Sequence, residues 1–184
     1  MIMKNVHSVR YFGFGTNRDH DMMAHMIGRA PIHGEYGTLF GFELCVLRGR
    51  QFRDIVPKAS PLTMSPRAII VGTWGPDFLM YVSRPNPTGS IAGMIWDMTP
   101  EEFQFVREWE MVEYGAQEDA QGIAMTAGGA IVNVITQSFL TPPIPEIERV
   151  IGEDDYEPYI APKDEMLKRA DEVRMVYMKV QKSG

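Results

Sequence analysis

Apolar and polar positions alternate along this chain in short runs, and most of the runs have the two-residue period of strands. Val9 to Gly13 is aromatic and β-branched, and passes through Phe14-Gly15-Thr16-Asn17 into a helical stretch, Asp19 to Ile27. Met22, Met23, Met26 and Ile27 give that helix an apolar face, Asp19 and Asp21 suit its first turn, and Gly28 can end it. Thr38 to Arg48 reads as a second strand. Pro57 to Pro66 reads as a surface loop. Ala68 to Thr73 and Phe78 to Ser83 read as strands joined by the turn Gly75-Pro76-Asp77. A proline-rich turn, Arg84 to Gly89, leads to a strand at Ile91 to Met98. Next comes a helix over Pro100 to Glu110, with Thr99 as N-cap, Pro100 in the first helical position and Glu102 completing a capping box. Gln121 to Ala127 and Ala130 to Leu140 form a hairpin across Gly128-Gly129, followed by Pro142, Pro143 and Pro145. A final amphipathic helix starts near Pro162, with Met166, Ala170, Val173 and Tyr177 on one stripe.

About seven strands against three helices, mostly in hairpin-like succession, argue against a doubly wound parallel sheet. They predict a mixed α/β (α+β) fold: a mixed or antiparallel sheet of about six or seven strands, curled toward a small barrel, with flanking helices. The length, 184 residues, suits one domain over 1–184.

One position breaks the pattern. On a helical wheel for Pro100 to Glu110, Phe103, Val106, Trp109 and Glu110 share an arc of about 120°, while Glu101, Gln104, Arg107 and Glu108 lie opposite. Burying an ionised carboxylate costs several kcal/mol unless it is paired, so Glu110 must find a partner, take a raised pKa or face a polar cavity. A carboxylate lifted toward neutrality is suited to general acid/base work. The plainer alternative is a frayed last residue bonded to nearby backbone. The loop after the first strand offers a second candidate. Gly13-Phe14-Gly15 does not complete a dinucleotide fingerprint, because Arg18 stands where the third glycine belongs. A glycine-containing turn at a helix start still presents backbone N–H groups that suit a carboxylate or oxyanion, here at Gly15, Thr16 and Asn17. Alternatively Thr16 or Asn17 caps the turn internally.

Composition removes several classes of function. Eighteen Lys and Arg against 24 Asp and Glu give a net charge of −6 with no basic run, so nucleic acid is not an expected partner. A single cysteine, Cys45, excludes an intramolecular disulfide and a thiolate zinc cluster, and its apolar strand places it in the core. His20 and His25 point about 140° apart on a helix, although Asp21 and His25 share a face, and no metal is assigned. The 14 methionines read as core filler. The first ten residues lack a signal-peptide core, and no stretch reaches the ~20 apolar residues of a membrane span, so a cytoplasmic location is expected.

Two motifs carry a resemblance. Tyr11-Phe12-Gly13-Phe14-Gly15-Thr16-Asn17 is similar to the YFAYGSN loop of the gamma-glutamylcyclotransferase-like family. The run from Pro87 through Thr99-Pro100-Glu101-Glu102 to Trp109-Glu110 looks like that family's sequence of proline, glycine, strand, short helix and terminal glutamate. Gly41 to Val46 looks like its apolar second strand, and the likeness covers roughly Tyr11 to Leu140. The resemblance implies a small mixed barrel without a cofactor, Glu110 as acid/base, and a glutamyl-binding loop formed by Tyr11, Phe14, Gly15, Thr16 and Asn17. It also implies a reaction in which a γ-glutamyl group closes to 5-oxoproline and releases an amine or amino acid. The partner implied is a small γ-glutamyl molecule, and homodimerisation is left open. Phe14 replaces the usual tyrosine, Thr16 the usual serine, and Met111 a frequent glycine. The rival reading is a catalytically inactive member that only binds glutamyl compounds.

Overall fold

A computed structural model describes residues 8–31, 33–58, 60, 63–152, 156 and 161–183. Its elements run β1 (Val9–Gly13), α1 (His20–Ile27), β2 (His33–Arg48), α2 (Pro66–Trp74), β3 (Leu79–Met98), α3 (Pro100–Trp109), β4 (Glu118–Thr126), β5 (Ile131–Ser138), β6 (Arg149–Val150) and α4 (Lys163–Ser183). The sheet order is β3-β1-β5-β4-β2-β6, and pairing of β3 with β2 closes the first five strands into a barrel. The β1–β5 pair is parallel and the other pairings are antiparallel. The fold is therefore the mixed small barrel with flanking helices that the hairpin-rich pattern implied. Among the described residues, no helix is long and apolar enough to cross a membrane.

Strand alternation distributes the core on both sides of the barrel wall. Phe12, Leu44, Val46 and Ile95 belong to the interior cluster, with Leu39, Ile91 and Val134. Their neighbours Tyr11, Met94 and Trp96 face outward, onto Met22, Met23 and Met26 of α1, Phe103 and Val106 of α3, and Met166 and Ala170 of α4. Cys45 and Leu47 face a third cluster containing Phe52, Ile70 and Phe139. Cys45 is buried as expected, and burial pushes its thiol up to about 11, which leaves it protonated and unreactive at neutral pH.

Three expectations are corrected. Ala68 to Thr73 is not a strand but part of α2: Ser65 Oγ accepts from Ala68 N–H at 3.2 Å and Pro66 takes the first helical position. A short apolar run has no decisive period, so the cap settles it. The two strands expected at Phe78 to Ser83 and Ile91 to Met98 are one strand, β3, which begins at Leu79 and runs on through Arg84 to Gly89. Phe40 pairs with Ser90 and Phe42 with Pro85, so residues 86–89 stand opposite Gly41 alone, whose φ is 81°. This irregularity, four residues against one, lets Pro87 sit outside the paired register. The third correction concerns the polar face of α3. Glu108 and Arg107, expected in solvent, are partly covered because the chain after the helix doubles back over them: Tyr114 Oη donates to Glu108 at 2.9 Å, and Arg107 pairs with Glu113 and Asp119.

The helix boundaries otherwise follow their signals. Asp19 caps α1, accepting from Asp21 and Met22 N–H, and Gly28 ends it at φ 82°. Thr99 and Glu102 make both bonds of the capping box, at 3.2 and 2.8 Å.

Candidate active site

The end of α3 sets the position of Glu110. Met111 N–H donates to Glu108 O at 3.1 Å and Val112 N–H to Arg107 O at 3.0 Å, the two bonds of a Schellman ending with Met111 in the left-handed position. That position normally belongs to glycine, and Met111 holds φ 53°. Glu110 is the C-cap, and the reversed chain brings Gln117, 1% exposed, back over it. Truncating residue 111 isolates the backbone contribution. The Met111→Gly protein is expected to be more stable than Met111→Ala by about 1 kcal/mol in urea denaturation, the reverse of the usual order. Equal stabilities would place the left-handed turn elsewhere.

The β1 loop supplies the other partner of Glu110. Residues 15–18 form a single 3-10 turn that follows the buried Phe14. Asn17 is 2% exposed; its carbonyl accepts from Trp96 Nε1 at 2.8 Å, which anchors it to the barrel. Its Nδ2 donates to Tyr11 Oη at 2.8 Å and to Glu110 Oε1 at 2.6 Å. Gln117 Nε2 donates to Glu110 Oε2 at 2.6 Å. Both carboxylate oxygens are thus held by neutral amides, and no cationic side chain pairs with them among the described residues. Glu110 is half-buried as a residue because one side lines a cavity, while its carboxylate lies among buried groups. Burial raises its pKa from 4.5 to about 7, against the opposing effect of the bonds from Asn17 and Gln117.

The cavity, of about 560 Å³, has Phe14, Gly15 and Thr16 beside Glu110 at one end. The structure therefore brings the two sequence candidates together, but it divides the work of the loop. Phe14, Gly15 and Thr16 line the cavity, whereas Asn17 stands behind it and holds Glu110, with Tyr11 in turn bonded to Asn17. Burial raises the pKa of Tyr11 well above that of a free phenol, and the nearby Glu110 adds to the effect, so Tyr11 stays neutral. Two of the three loop N–H groups are already used: Gly15 donates to Tyr156 Oη, and Asn17 to Phe14 O at 3.1 Å. Thr16 N–H is the one without an acceptor among the described residues. Gly15 needs its glycine, since φ is 56° and a Cβ would lie 2.9 Å from the Tyr81 ring.

Gln117 and Tyr156 escaped the sequence reading. Gln117 sits in a turn with no periodic signal. Tyr156 lies between proline-rich and charged stretches, and only the fold shows its contact with Gly15 and the Arg18 guanidinium 3.8 Å above its ring. The histidines serve packing and pairing: His25 Nδ1 lies 2.8 Å from Asp171, and His20 meets the Trp96 ring edge-on. Among the described residues no three His, Cys, Asp or Glu side chains cluster as a metal site requires.

No family model matches the chain, and no curated protein does. Solved structures do resemble it. A gamma-glutamyl cyclotransferase superposes with a TM-score of 0.55 at 12% identity, over 96% of this chain and 85% of that one. An uncharacterized protein from Homo sapiens gives 0.53 at 13%, over 96% and 85%. A protein from Arabidopsis thaliana, solved in solution, gives 0.51 at 15%, over 95% and 90%. At these identities the likeness shows a shared fold, gamma-glutamylcyclotransferase-like, and no more.

Proposed function

We propose that this chain is a gamma-glutamylcyclotransferase-like enzyme, converting a γ-glutamyl compound to 5-oxoproline and a free amine or amino acid with Glu110 as the acid/base. The observation that carries the reading is a carboxylate near neutral pKa, held on both oxygens by Asn17 and Gln117, at the end of a cavity beside Gly15 and Thr16. The likeness to a solved cyclotransferase supports it.

Chemistry follows from the proton inventory. The substrate's α-amine is an ammonium at neutral pH and cannot attack until Glu110 takes a proton from it. The freed amine nitrogen then bonds to the side-chain amide carbonyl carbon, closing a five-membered ring. Because nucleophile and carbonyl belong to one molecule, the cavity has only to hold the folded-back conformer. Breakdown of the tetrahedral intermediate cleaves the original C–N bond as the Glu110 carboxylic acid returns its proton to the departing nitrogen; the ring nitrogen then gives up its second proton through Glu110 to the released amine, which leaves as an ammonium beside neutral 5-oxoproline. A pKa close to 7 serves both transfers. Thr16 N–H is the donor placed to meet the glutamyl α-carboxylate or the oxyanion.

Purified protein is expected to release 5-oxoproline from at least one compound in a panel of glutathione, γ-glutamyl amino acids and γ-glutamyl amines. Absence of release across the panel would remove the reading.

A further inference from the structure

Resting on that reading, we propose that the amine released is large, apolar and free of carboxylate, and that the cavity region between α2, the start of β3 and α4 receives it. The cavity is of the size that holds a whole drug-like ligand and is several times larger than the glutamyl group that Glu110 and Thr16 address. Away from Glu110 its walls are Ile69, Trp74 and Phe78 on one side and Val173, Val176 and Tyr177 on the other. Trp74 and Phe78 are stacked, with centroids 4.6 Å apart and planes 17° apart, and form a ready aromatic surface.

Charge selects further within this region. The cationic side chain lining it, Arg169, is already engaged: Nη1 lies 2.8 Å from Glu172, and its guanidinium stands 5.4 Å from the centre of the Trp74 ring. Glu172 is the partner of Arg169, and Glu108, which accepts from Tyr114 Oη, adds a carboxylate to that of Glu110. The carboxylate of a leaving amino acid or dipeptide would thus meet like charges and apolar walls, with no free cation among the described lining residues to pair with. A neutral hydrocarbon or aromatic amine meets neither obstacle, and once released it carries a positive charge that the acidic lining favours. Val176 and Val180, both on the lining, are 61% and 64% exposed, so an apolar occupant would cover apolar surface that is now wet.

The test measures kcat/KM for 5-oxoproline release from γ-glutamyl phenethylamide and γ-glutamyl hexylamide against γ-glutamylglycine and glutathione. In parallel it measures calorimetric binding of glutaryl phenethylamide and glutarylglycine, which lack the α-amine and cannot cyclise. Both comparisons are repeated in Val176→Asp, an exposed position where the change leaves the core intact. The apolar amides are expected to be preferred at least about tenfold in turnover and in binding, and Val176→Asp to reduce that ratio severalfold. Preference for γ-glutamylglycine or glutathione, or a ratio untouched by Val176→Asp, would overturn the inference while the cyclotransferase reading stands. Tight, Val176-dependent binding of glutaryl phenethylamide with no 5-oxoproline from any amide would overturn the reading and leave the apolar subsite. No preference in either measurement would overturn the inference outright.

Discussion

The Glu110→Gln protein is expected to fold, to release 5-oxoproline at least about a hundredfold more slowly than the parent, and to be more stable than the parent above pH 7. The kinetic half follows because glutamine can neither take the ammonium proton nor return it. Stability follows from proton linkage. The carboxylate has its pKa raised from 4.5 to about 7 on folding, so between those values the native state binds more protons than the unfolded chain and stability falls as pH rises. That contribution is fully present below about pH 4.5 and lost above about pH 7, a difference of roughly 3 kcal/mol. Glutamine carries no charge to bury and escapes the loss. The site can also accept it: Gln117 Oε1 is buried without a partner among the described residues, and turning that amide over would let Oε1 receive a hydrogen bond from protonated Glu110 or from the amide that Glu110→Gln introduces. Urea denaturation of both proteins at pH 5 and pH 8.5 measures the difference, and parallel pH profiles would mean that the carboxylate is solvated. Full turnover in the variant would remove Glu110 as the acid/base.

Asn17→Ala is the second large effect. It deletes the donor that Glu110 Oε1 and Tyr11 Oη share, one of the two hydrogen bonds that restrain the rise of the Glu110 pKa. In the parent, kcat/KM is expected to rise through a limb centred near pH 7 as Glu110 ionises. In Asn17→Ala the limb is expected to move to higher pH. Activity at pH 7 falls about tenfold or more, and part of it returns at pH 9. An unmoved limb with a uniform loss would instead make Asn17 a substrate contact, the role the loop motif alone implies.

Much of this was legible in the chain. The start of α3 was written twice, in the Thr99 to Glu102 box and in Pro100, and the wheel built on that start exposed Glu110 as the charge out of place. What was not legible depends on contacts between segments distant in sequence. A motif can name Asn17 as part of a loop, but only closure of the barrel brings its amide to a carboxylate 93 residues away. Gln117 returns to Glu110 through a left-handed residue that is a methionine, so the usual glycine signal for such a turn is missing. The polar face of α3 was misread because a wheel cannot show that the chain will fold back across it. Helix α2 was hidden inside an Ile-Ile-Val run that suits either backbone until Ser65 caps it.

The two ends of the cavity are built by different parts of the chain. Its Glu110 end is built from the β1 loop and the close of α3, held to each other through Asn17 and to the barrel through Trp96. Its far end is built by α2, the strand entry at Phe78 and the long α4, which lie outside the barrel. Substitutions along Ile69, Val173 and Val176 are therefore expected to leave undisturbed the contacts that hold Asn17 against Glu110. On the proposed function, such a layout would let the accepted molecule be changed while the groups around Glu110 are left alone, and it would give an engineer a surface to redraw.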